Sequence, residues 1–238
     1  DTGNPVTYSA DVLRISFRLI VEQLDPAGVD NARQQMVIIG HSQGGLLTKM
    51  TAIDSGTELW NTVSVRPLDE LVLRESTREE LRRTLFLKPL PFVRRVIFIA
   101  TPHRGSYQAG SWIAQWVAGF ASLPKGFMDS VGELVTGNAG AVVLSMGGLP
   151  RSIQHMTPGN PFVQALASIP VAPGIAVNSI VAVSGNGPIA EDDDGVVKYT
   201  SAHLDDAESE RVIHSGHSVQ RHPLAIAEAR RILYRHGD

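Results

Sequence analysis

The chain has 238 residues, of which 43% are hydrophobic and 19% are charged, and its formal net charge at pH 7 is −3. This composition excludes an intrinsically disordered chain, and the slightly negative charge argues against a nucleic-acid-binding surface, which would need clustered basic residues. The absence of cysteine excludes disulfide scaffolds, cysteine–zinc sites, iron–sulfur clusters and thiol nucleophiles, and no apolar run reaches the roughly 18 residues of a membrane-spanning helix.

Predicted strands and helices alternate along the chain. Three segments are nearly continuous apolar runs, as expected of parallel strands covered on both faces, and a fourth such segment is shorter. In chain order, the sequence predicts a helix over 10–24, a strand over 36–39, a helix after Gly44, a charged helix or helix pair over 67–87, a strand over 93–100, a helix over 106–122, strands over 179–184 and 211–214, and a terminal helix over 223–234. This alternation predicts an α/β fold with a mostly parallel sheet.

The interval from about residue 101 to residue 178 lies between the second and third predicted strands and is too long for a single crossover connection. We therefore expect an inserted cap of helices there. Within it, Trp112, Trp116 and Phe120 recur every four residues and would share one side of a helix, which we call the tryptophan face.

One short motif has the setting of a catalytic nucleophile. Residues 40–44 read Gly-His-Ser-Gln-Gly, the single match to G-x-S-x-G in the chain. The motif follows a predicted strand and precedes a predicted helix, as a nucleophile elbow requires. The strained turn of an elbow needs small residues two positions to either side of Ser42, and Gly40 and Gly44 meet this need, while Gly45 lets the helix lie close to the sheet. The alternative is a glycine-rich turn in which Ser42 caps a helix.

A serine nucleophile needs a histidine base, and the base needs an acid that orients it. Three consecutive aspartates at 192–194 follow the third predicted strand, and any of them is a candidate acid. The loop after the fourth predicted strand contains His217 between small residues, whereas His214 lies on that strand and His222 opens the last helix. His217 is therefore the favoured base.

Four segments together resemble bacterial true lipases and related serine esterases of the α/β-hydrolase superfamily. They are Gly-His-Ser-Gln-Gly-Gly at 40–45, Ala-Thr-Pro-His-Arg-Gly-Ser at 100–106, Asp-Gly-Val-Val at 194–197 and Ser-Ala-His-Leu at 201–204. Each motif is modest, but four in this order are specific, and the resemblance runs from about residue 8 to residue 233. It implies an α/β-hydrolase fold, with helices on both sides of the sheet, a single catalytic domain over 1–238 and an inserted cap or lid over about 103–178.

The resemblance also implies which residues react. Ser42 would be the nucleophile, Asp194 the acid and His217 the base, and the backbone N–H of Gln43 would stabilise the oxyanion. For the two neighbouring aspartates, Asp192 and Asp193, the alternative interpretation is a solvated loop. The tryptophan face would line a lid and an acyl pocket, with ordinary core packing as the alternative.

Three further histidines receive structural interpretations. We expect the side chain of His41 to point away from the nucleophile and to serve packing. His103 and His203 lie in motifs of the resemblance, and we expect them in turns and in hydrogen bonds. No cofactor is implied. Many bacterial true lipases bind calcium through an aspartate two residues beyond the catalytic histidine, and because Val219 occupies that position here we expect no calcium site.

The sequence thus predicts a serine carboxylic ester hydrolase that forms an acyl-enzyme with hydrophobic small-molecule esters or polyesters. An acyltransferase or thioesterase with the same triad, and a non-catalytic binding protein of the same fold, are the alternatives. We expect no nucleic-acid partner and no membrane span, and the sequence leaves oligomeric state and compartment open. Before the nucleophile strand only a turn and one helix are predicted, so we expect this chain to be the C-terminal portion of a longer protein whose upstream strands supply a second oxyanion donor.

Overall fold

The structure is a computed structural model that describes residues 6–106, 130, 132–134, 136–138, 140–141 and 159–237. Within these ranges four parallel strands form one sheet: β1 (Met36–His41), β2 (Val93–Ile99), β3 (Ala176–Val183) and β4 (Ser209–His214). They lie in the order β1-β2-β3-β4, so each strand pairs with the one before it in the chain. The prediction of an α/β fold with a parallel sheet is confirmed, and the predicted strand bounds differ from the observed ones by at most three residues.

The helices connect and cover these strands. In chain order they are α1 (Val6–Leu24), α2 (Gln43–Lys49), α3 (Glu58–Asn61), α4 (Glu75–Leu85), α5 (Pro161–Ser168), α6 (Tyr199–Ala202) and α7 (Pro223–Gly237). The charged segment predicted over 67–87 is a short 3₁₀ turn at Leu68–Glu70 followed by α4. The helix predicted over 106–122, including the tryptophan face, and much of the predicted cap fall outside the described residues. Among the helices that the structure describes, none has the length and apolar character needed to cross a bilayer.

Both faces of the sheet are buried, which explains why its central strands are apolar without alternation. On β2, Val96 and Phe98 pack into the same cluster as Val21 of α1, whereas Ile97 and Ile99 pack with residues of α7 on the opposite face. Since successive side chains of a strand point to opposite faces, each face needs its own apolar residues. The sheet is thereby held rigidly between helices, and its carboxyl ends carry the loops described below.

The end of α2 is held by a buried arginine. Arg14 of α1 donates from Nη1 to the carbonyl oxygen of Met50 at 2.7 Å and from Nη2 to that of Lys88 at 2.6 Å. The last carbonyl groups of a helix have no partner within it, so Arg14 satisfies one of them at the end of α2. Burial, aided by the charge of Arg18, lowers the pKa of Arg14 to about 10. This contact joins α1 to the helix that follows Ser42.

Candidate active site

Ser42 occupies a strained turn between β1 and α2. Its φ of 53° and ψ of −128° lie where residues with a side chain are rarely found. The backbone N–H of Ser42 donates to the carbonyl oxygen of Ile99 at 2.9 Å, which ties the turn to the end of the neighbouring strand. Strain of this kind persists where the surrounding structure fixes it, and it is common at reactive residues.

The glycines around Ser42 differ in how much space they have. A Cβ atom on Gly40 would lie 2.4 Å from Thr48 Oγ1 and 2.6 Å from the carbonyl oxygen of Gly44, and a Cβ on Gly45 would lie 1.9 Å from Thr101 Oγ1. At Gly44, by contrast, nothing in the described part of the chain comes within 4 Å of an added Cβ. The close approach of α2 to the strand ends therefore requires glycine at 40 and 45. The contacts of the described residues do not explain the small residue that the sequence predicted to be needed at 44.

The three residues implied by the resemblance come together at the carboxyl ends of the strands. His217, in the loop after β4, places Nε2 2.8 Å from Ser42 Oγ. Its Nδ1 lies 2.8 Å from Oδ2 of Asp194, in the loop after β3. The carboxylate can hold the proton on Nδ1, so that Nε2 can accept the serine proton. The Asp194 side chain is only 1% exposed and that of His217 13%, so both contacts are shielded from water.

The other candidates for base and acid do not join this arrangement. His214 lies on β4 with an exposed side chain, and His222 accepts a hydrogen bond from the backbone N–H of Leu224. Asp194 alone among the three aspartates contacts His217, and its second oxygen, Oδ1, accepts from two backbone N–H groups of the following turn.

Asp192 and Asp193 shape the loop that carries the acid. Oδ1 of Asp192 accepts from the backbone N–H of Gly185 at 3.0 Å and from that of Asp193 at 2.7 Å. Oδ1 of Asp193 accepts from the backbone N–H of Gly195, also at 2.7 Å. Both side chains are partly buried rather than fully solvated. These residues are thus partly solvated, and in addition their carboxylates satisfy backbone donors that the loop would otherwise leave without partners.

His41 contacts the loop of the base, a role that the sequence did not indicate. Its Nε2 lies 2.9 Å from the carbonyl oxygen of His217, and the two imidazole rings are 5.0 Å apart. Burial lowers the pKa of His41, which favours a neutral ring. A neutral imidazole with its proton on Nε2 donates to this carbonyl, so His41 helps to fix the backbone from which the base projects.

The two histidines of the other motifs differ from each other. The ring of His103 packs edge-on against Phe98, with centroids 4.6 Å apart, and neither ring nitrogen has a hydrogen-bond partner among the described residues. Burial, with the charges of Lys49 and Arg104, holds the pKa of His103 well below its usual value. The predicted hydrogen-bonding role of His103 is thus not seen, and the residue serves packing.

His203 does make the predicted hydrogen bonds. Its Nδ1 lies 2.8 Å from Glu210 Oε2 and its Nε2 lies 3.1 Å from Asp205 Oδ1. Tyr199 OH lies 3.2 Å from the same Nδ1 and donates to Glu210 Oε1 at 2.8 Å. Burial by itself lowers the pKa of His203, but the hydrogen bonds and charges of Glu210 and Asp205 outweigh it and raise the pKa.

Two further predicted features concern substrate contacts. Gln43 is the first residue of α2, and the first backbone N–H groups of a helix have no acceptor within it, so this N–H lies beside Ser42 at the helix end. The tryptophan face lies outside the described residues.

Val219, at the position considered for calcium, is fully buried against the cluster that contains α7. In the ranges that the structure describes, no group of three or more His, Asp or Glu side chains is arranged to hold a metal ion.

No protein-family model matches the chain, and no curated protein matches it. Solved structures of bacterial proteins do. Mature lipase BlEst2 from Bacillus licheniformis aligns with a TM-score of 0.52 and 14% identity over 97% of this chain and 75% of that one. Its propeptide form aligns at 0.47 and 13%, over 95% of this chain and 41% of that one. A lipase-esterase related protein from Clostridium acetobutylicum ATCC 824 aligns at 0.32 and 13%, over 84% and 66%.

At such low identity the likeness to mature BlEst2 concerns the fold alone. It covers nearly the whole of this chain, and it agrees with a parallel sheet that has helices on both faces. The strand–turn–helix geometry at Ser42 is also that of the nucleophile elbow in this architecture. The chain has the α/β-hydrolase fold.

Proposed function

We propose that this protein is a serine hydrolase of carboxylic esters. The observation that carries the proposal is the chain of two 2.8 Å contacts that links Ser42 Oγ through the ring of His217 to the carboxylate of Asp194. Side chains that meet in this order activate a serine for attack on an acyl carbon, whatever fold presents them. The strained turn at Ser42 supports the same role, since it exposes the hydroxyl at the end of a helix.

The proposed reaction has two halves. Ser42 Oγ attacks the ester carbonyl carbon while His217 Nε2 takes the hydroxyl proton, and the backbone N–H of Gln43 donates to the resulting oxyanion. His217 then returns the proton to the alkoxide oxygen, the alcohol leaves, and the acyl group stays on Ser42. Water then attacks the acyl carbon while His217 Nε2 takes a proton from it. The bond between the acyl carbon and Ser42 Oγ breaks, His217 returns the proton to Oγ, and the carboxylic acid and free serine result. Asp194 keeps the imidazole in the tautomer that both halves need.

The proposed substrates are hydrophobic small-molecule esters or polyester segments. This part of the proposal rests on the apolar composition of the predicted cap over about 103–178, including the tryptophan face. Mature BlEst2, whose fold is similar, is described as a lipase, which agrees with such substrates. A series of p-nitrophenyl esters of increasing acyl length gives the preference directly. Transfer of the acyl group to an added alcohol in place of water would indicate an acyltransferase instead.

The first test is covalent labelling of the nucleophile. A fluorophosphonate probe should modify Ser42, identified by mass spectrometry of the labelled peptide, and should abolish ester hydrolysis. The variant Ser42→Ala should take no label and should lower kcat by up to about a millionfold with an unchanged melting temperature. Ser168→Ala, at an exposed position at the end of α5, is the matched control and should behave as wild type. Labelling of a different serine would refute the proposal.

A further inference from the structure

We propose that Ser106 is a positioning residue for the catalytic acid, acting through one peptide unit of the loop that carries Asp194. The inference rests on the proposed function and adds to it a residue outside the triad. Ser106 lies beyond the end of β2, in the segment after Thr101, and is 2% exposed. Its role follows from where its hydroxyl group hydrogen-bonds.

The hydroxyl of Ser106 and the carboxylate of Asp194 bind opposite ends of the same amide. Ser106 Oγ donates to the carbonyl oxygen of Val196. That carbonyl belongs to the peptide unit whose N–H is the backbone N–H of Val197, and this N–H donates to Asp194 Oδ1 at 2.7 Å. The amide plane is therefore held at both ends, and its N–H stays directed at the carboxylate.

This arrangement extends the triad by two further hydrogen bonds. The path runs from Ser106 through the peptide unit of residues 196–197 to Asp194, and from there through His217 to Ser42. A hydrogen bond accepted by an amide oxygen polarises the amide and strengthens the bond that its N–H donates. The part of the path between Ser106 and Asp194 is shielded, since both residues are almost completely buried, and shielding makes these bonds stronger than they would be in water. Loss of the Ser106 hydroxyl thus weakens the support of the acid without touching any reacting atom.

A second set of contacts holds the segment that presents Ser106. Ser201 Oγ donates to the carbonyl oxygen of Gly105 at 2.6 Å and accepts from the backbone N–H of Arg104 at 3.1 Å. The guanidinium of Arg104 donates to the carbonyl oxygens of Thr200 at 2.9 Å and of His203 at 2.7 Å. The segment after β2 and the residues of α6 are therefore one connected unit, and the hydroxyl of Ser106 is kept next to the acid loop.

The test compares Ser106→Ala with Ser55→Ala. Ser55 is equally buried, donates from Oγ to the carbonyl oxygen of Leu85 at 2.9 Å and accepts from the backbone N–H of Leu87 at 2.7 Å, but none of these groups contacts the triad. Ser106→Ala should lower kcat for a short-chain p-nitrophenyl ester by about tenfold and leave KM within about twofold, as loss of one hydrogen bond to the acid loop implies. Ser55→Ala should leave both constants unchanged, although it removes a comparable buried hydroxyl.

A second readout needs no turnover. We expect the proton between His217 Nδ1 and Asp194 to give a strongly deshielded proton NMR signal in the resting protein, whose position would report on that hydrogen bond. Ser106→Ala should move this signal upfield or broaden it through faster exchange with water, whereas Ser55→Ala should not. Because the signal is measured without substrate, it tests the role of Ser106 even if labelling of Ser42 contradicts the proposed ester hydrolysis.

The outcomes are distinct. A reduced kcat together with a displaced proton signal in Ser106→Ala alone supports the inference. Unchanged kcat and an unchanged signal, with a loss of thermal stability like that of Ser55→Ala, overturns it and leaves Ser106 a purely structural residue. If Ser106→Ala does not fold, Ser106→Cys replaces it, since a thiol is close in size but a weak donor. The same two readouts apply to that variant, with smaller changes in the same direction expected and no change overturning the inference.

Discussion

The turn at residues 40–45 and the acid loop at residues 184–198 both place a residue of the proposed triad at the end of a strand, but they are built in opposite ways. The turn depends on the absence of a side chain, because an added Cβ at Gly40 would collide with the first turns of α2. The acid loop depends on atoms that are present, because the carboxylates of Asp192, Asp193 and Asp194 all accept backbone N–H groups. The turn tolerates no added side chain at Gly40 or Gly45, and the loop depends on its carboxylate acceptors.

The two regions also differ in what they require of the rest of the molecule. The strain at Ser42 is balanced mainly by its neighbours, through the close packing of α2 and one bond to the end of β2. The acid loop is supported by residues outside it, namely Ser106, which lies 90 residues before Val196 in the chain, and His217. We therefore expect an added side chain at Gly40 to lower stability, and substitutions in the loop to lower turnover or stability according to which acceptor they remove.

The largest expected effect in this comparison is that of Asp194→Asn. The amide would present a donor to His217 Nδ1 and favour the wrong tautomer, so kcat should fall on the order of 10⁴-fold with the fold intact. Asp192→Asn keeps an oxygen that can accept from Gly185, and it should lower kcat by less than about threefold. Steady-state kinetics of the two purified variants decides between them, and an equal loss in both would mean that Asp192 acts on the base as well.

Asp192→Ala sharpens the same contrast within the loop. Without the carboxylate, the backbone N–H groups of Gly185 and Asp193 lose their acceptor, which should cost about 1–3 kcal/mol of unfolding free energy. Denaturant titration measures this loss. A stability equal to that of Asp192→Asn would contradict a loop held by this acceptor.

In the turn, the comparison is between Gly40→Ala and Gly44→Ala. A Cβ at Gly40 would meet backbone atoms of α2, and the resulting overpacking should lower the free energy of unfolding by about 1–3 kcal/mol or more. A Cβ at Gly44 meets none of the described atoms, and alanine in a helix is favoured over glycine by roughly 0.5–1 kcal/mol. In thermal and denaturant unfolding, Gly40→Ala should therefore be less stable than wild type and Gly44→Ala more stable. Equal destabilisation of both would show that Gly44 is needed for a reason other than space.

The smallest effect concerns His203, which Glu210 and Asp205 flank and Tyr199 and Arg104 also face. Its pKa is raised in the folded protein, so its contribution to stability is complete below the unfolded-state pKa of about 6.5 and is lost as the pH rises through the folded value. His203→Gln should therefore lower the melting temperature more at about pH 5.5 than at about pH 9.

Ser168→Ala, which removes no titratable group from an exposed position, is the control and should change the melting temperature equally at the two pH values. A loss from His203→Gln that is independent of pH would mean that the imidazole acts only as a neutral hydrogen-bonding group. The contrast with the turn at residues 40–45 would then rest on hydrogen bonds alone, because the charge of His203 would contribute nothing to stability.

The parts of the molecule that the sequence predicted are those determined by local pattern. Apolar runs indicated the strands, and the glycines around Ser42 indicated the turn, because a glycine is visible in the sequence at the position where space is short. No sequence pattern indicated the contacts of Asp192, His41 and Ser106. His41 and Ser106 bind backbone carbonyl groups 176 and 90 residues away in the chain, and every residue has such a carbonyl, so no pattern of side chains identifies the partner. Only the assembled sheet brings these groups together.

The order of the strands has a consequence for the synthesis of the protein on the ribosome. Ser42 follows β1 and His217 follows β4, and these are the first and last strands of the described sheet, 175 residues apart at their point of contact. Because synthesis proceeds from the N-terminus to the C-terminus, Ser42 leaves the ribosome long before the histidine that would activate it. In the proposed enzyme, ester hydrolysis therefore begins only after β4 has joined the sheet. On this proposal the serine is inert from the synthesis of β1 until β4 has paired with β3, and a probe for activated serines would report that step of folding.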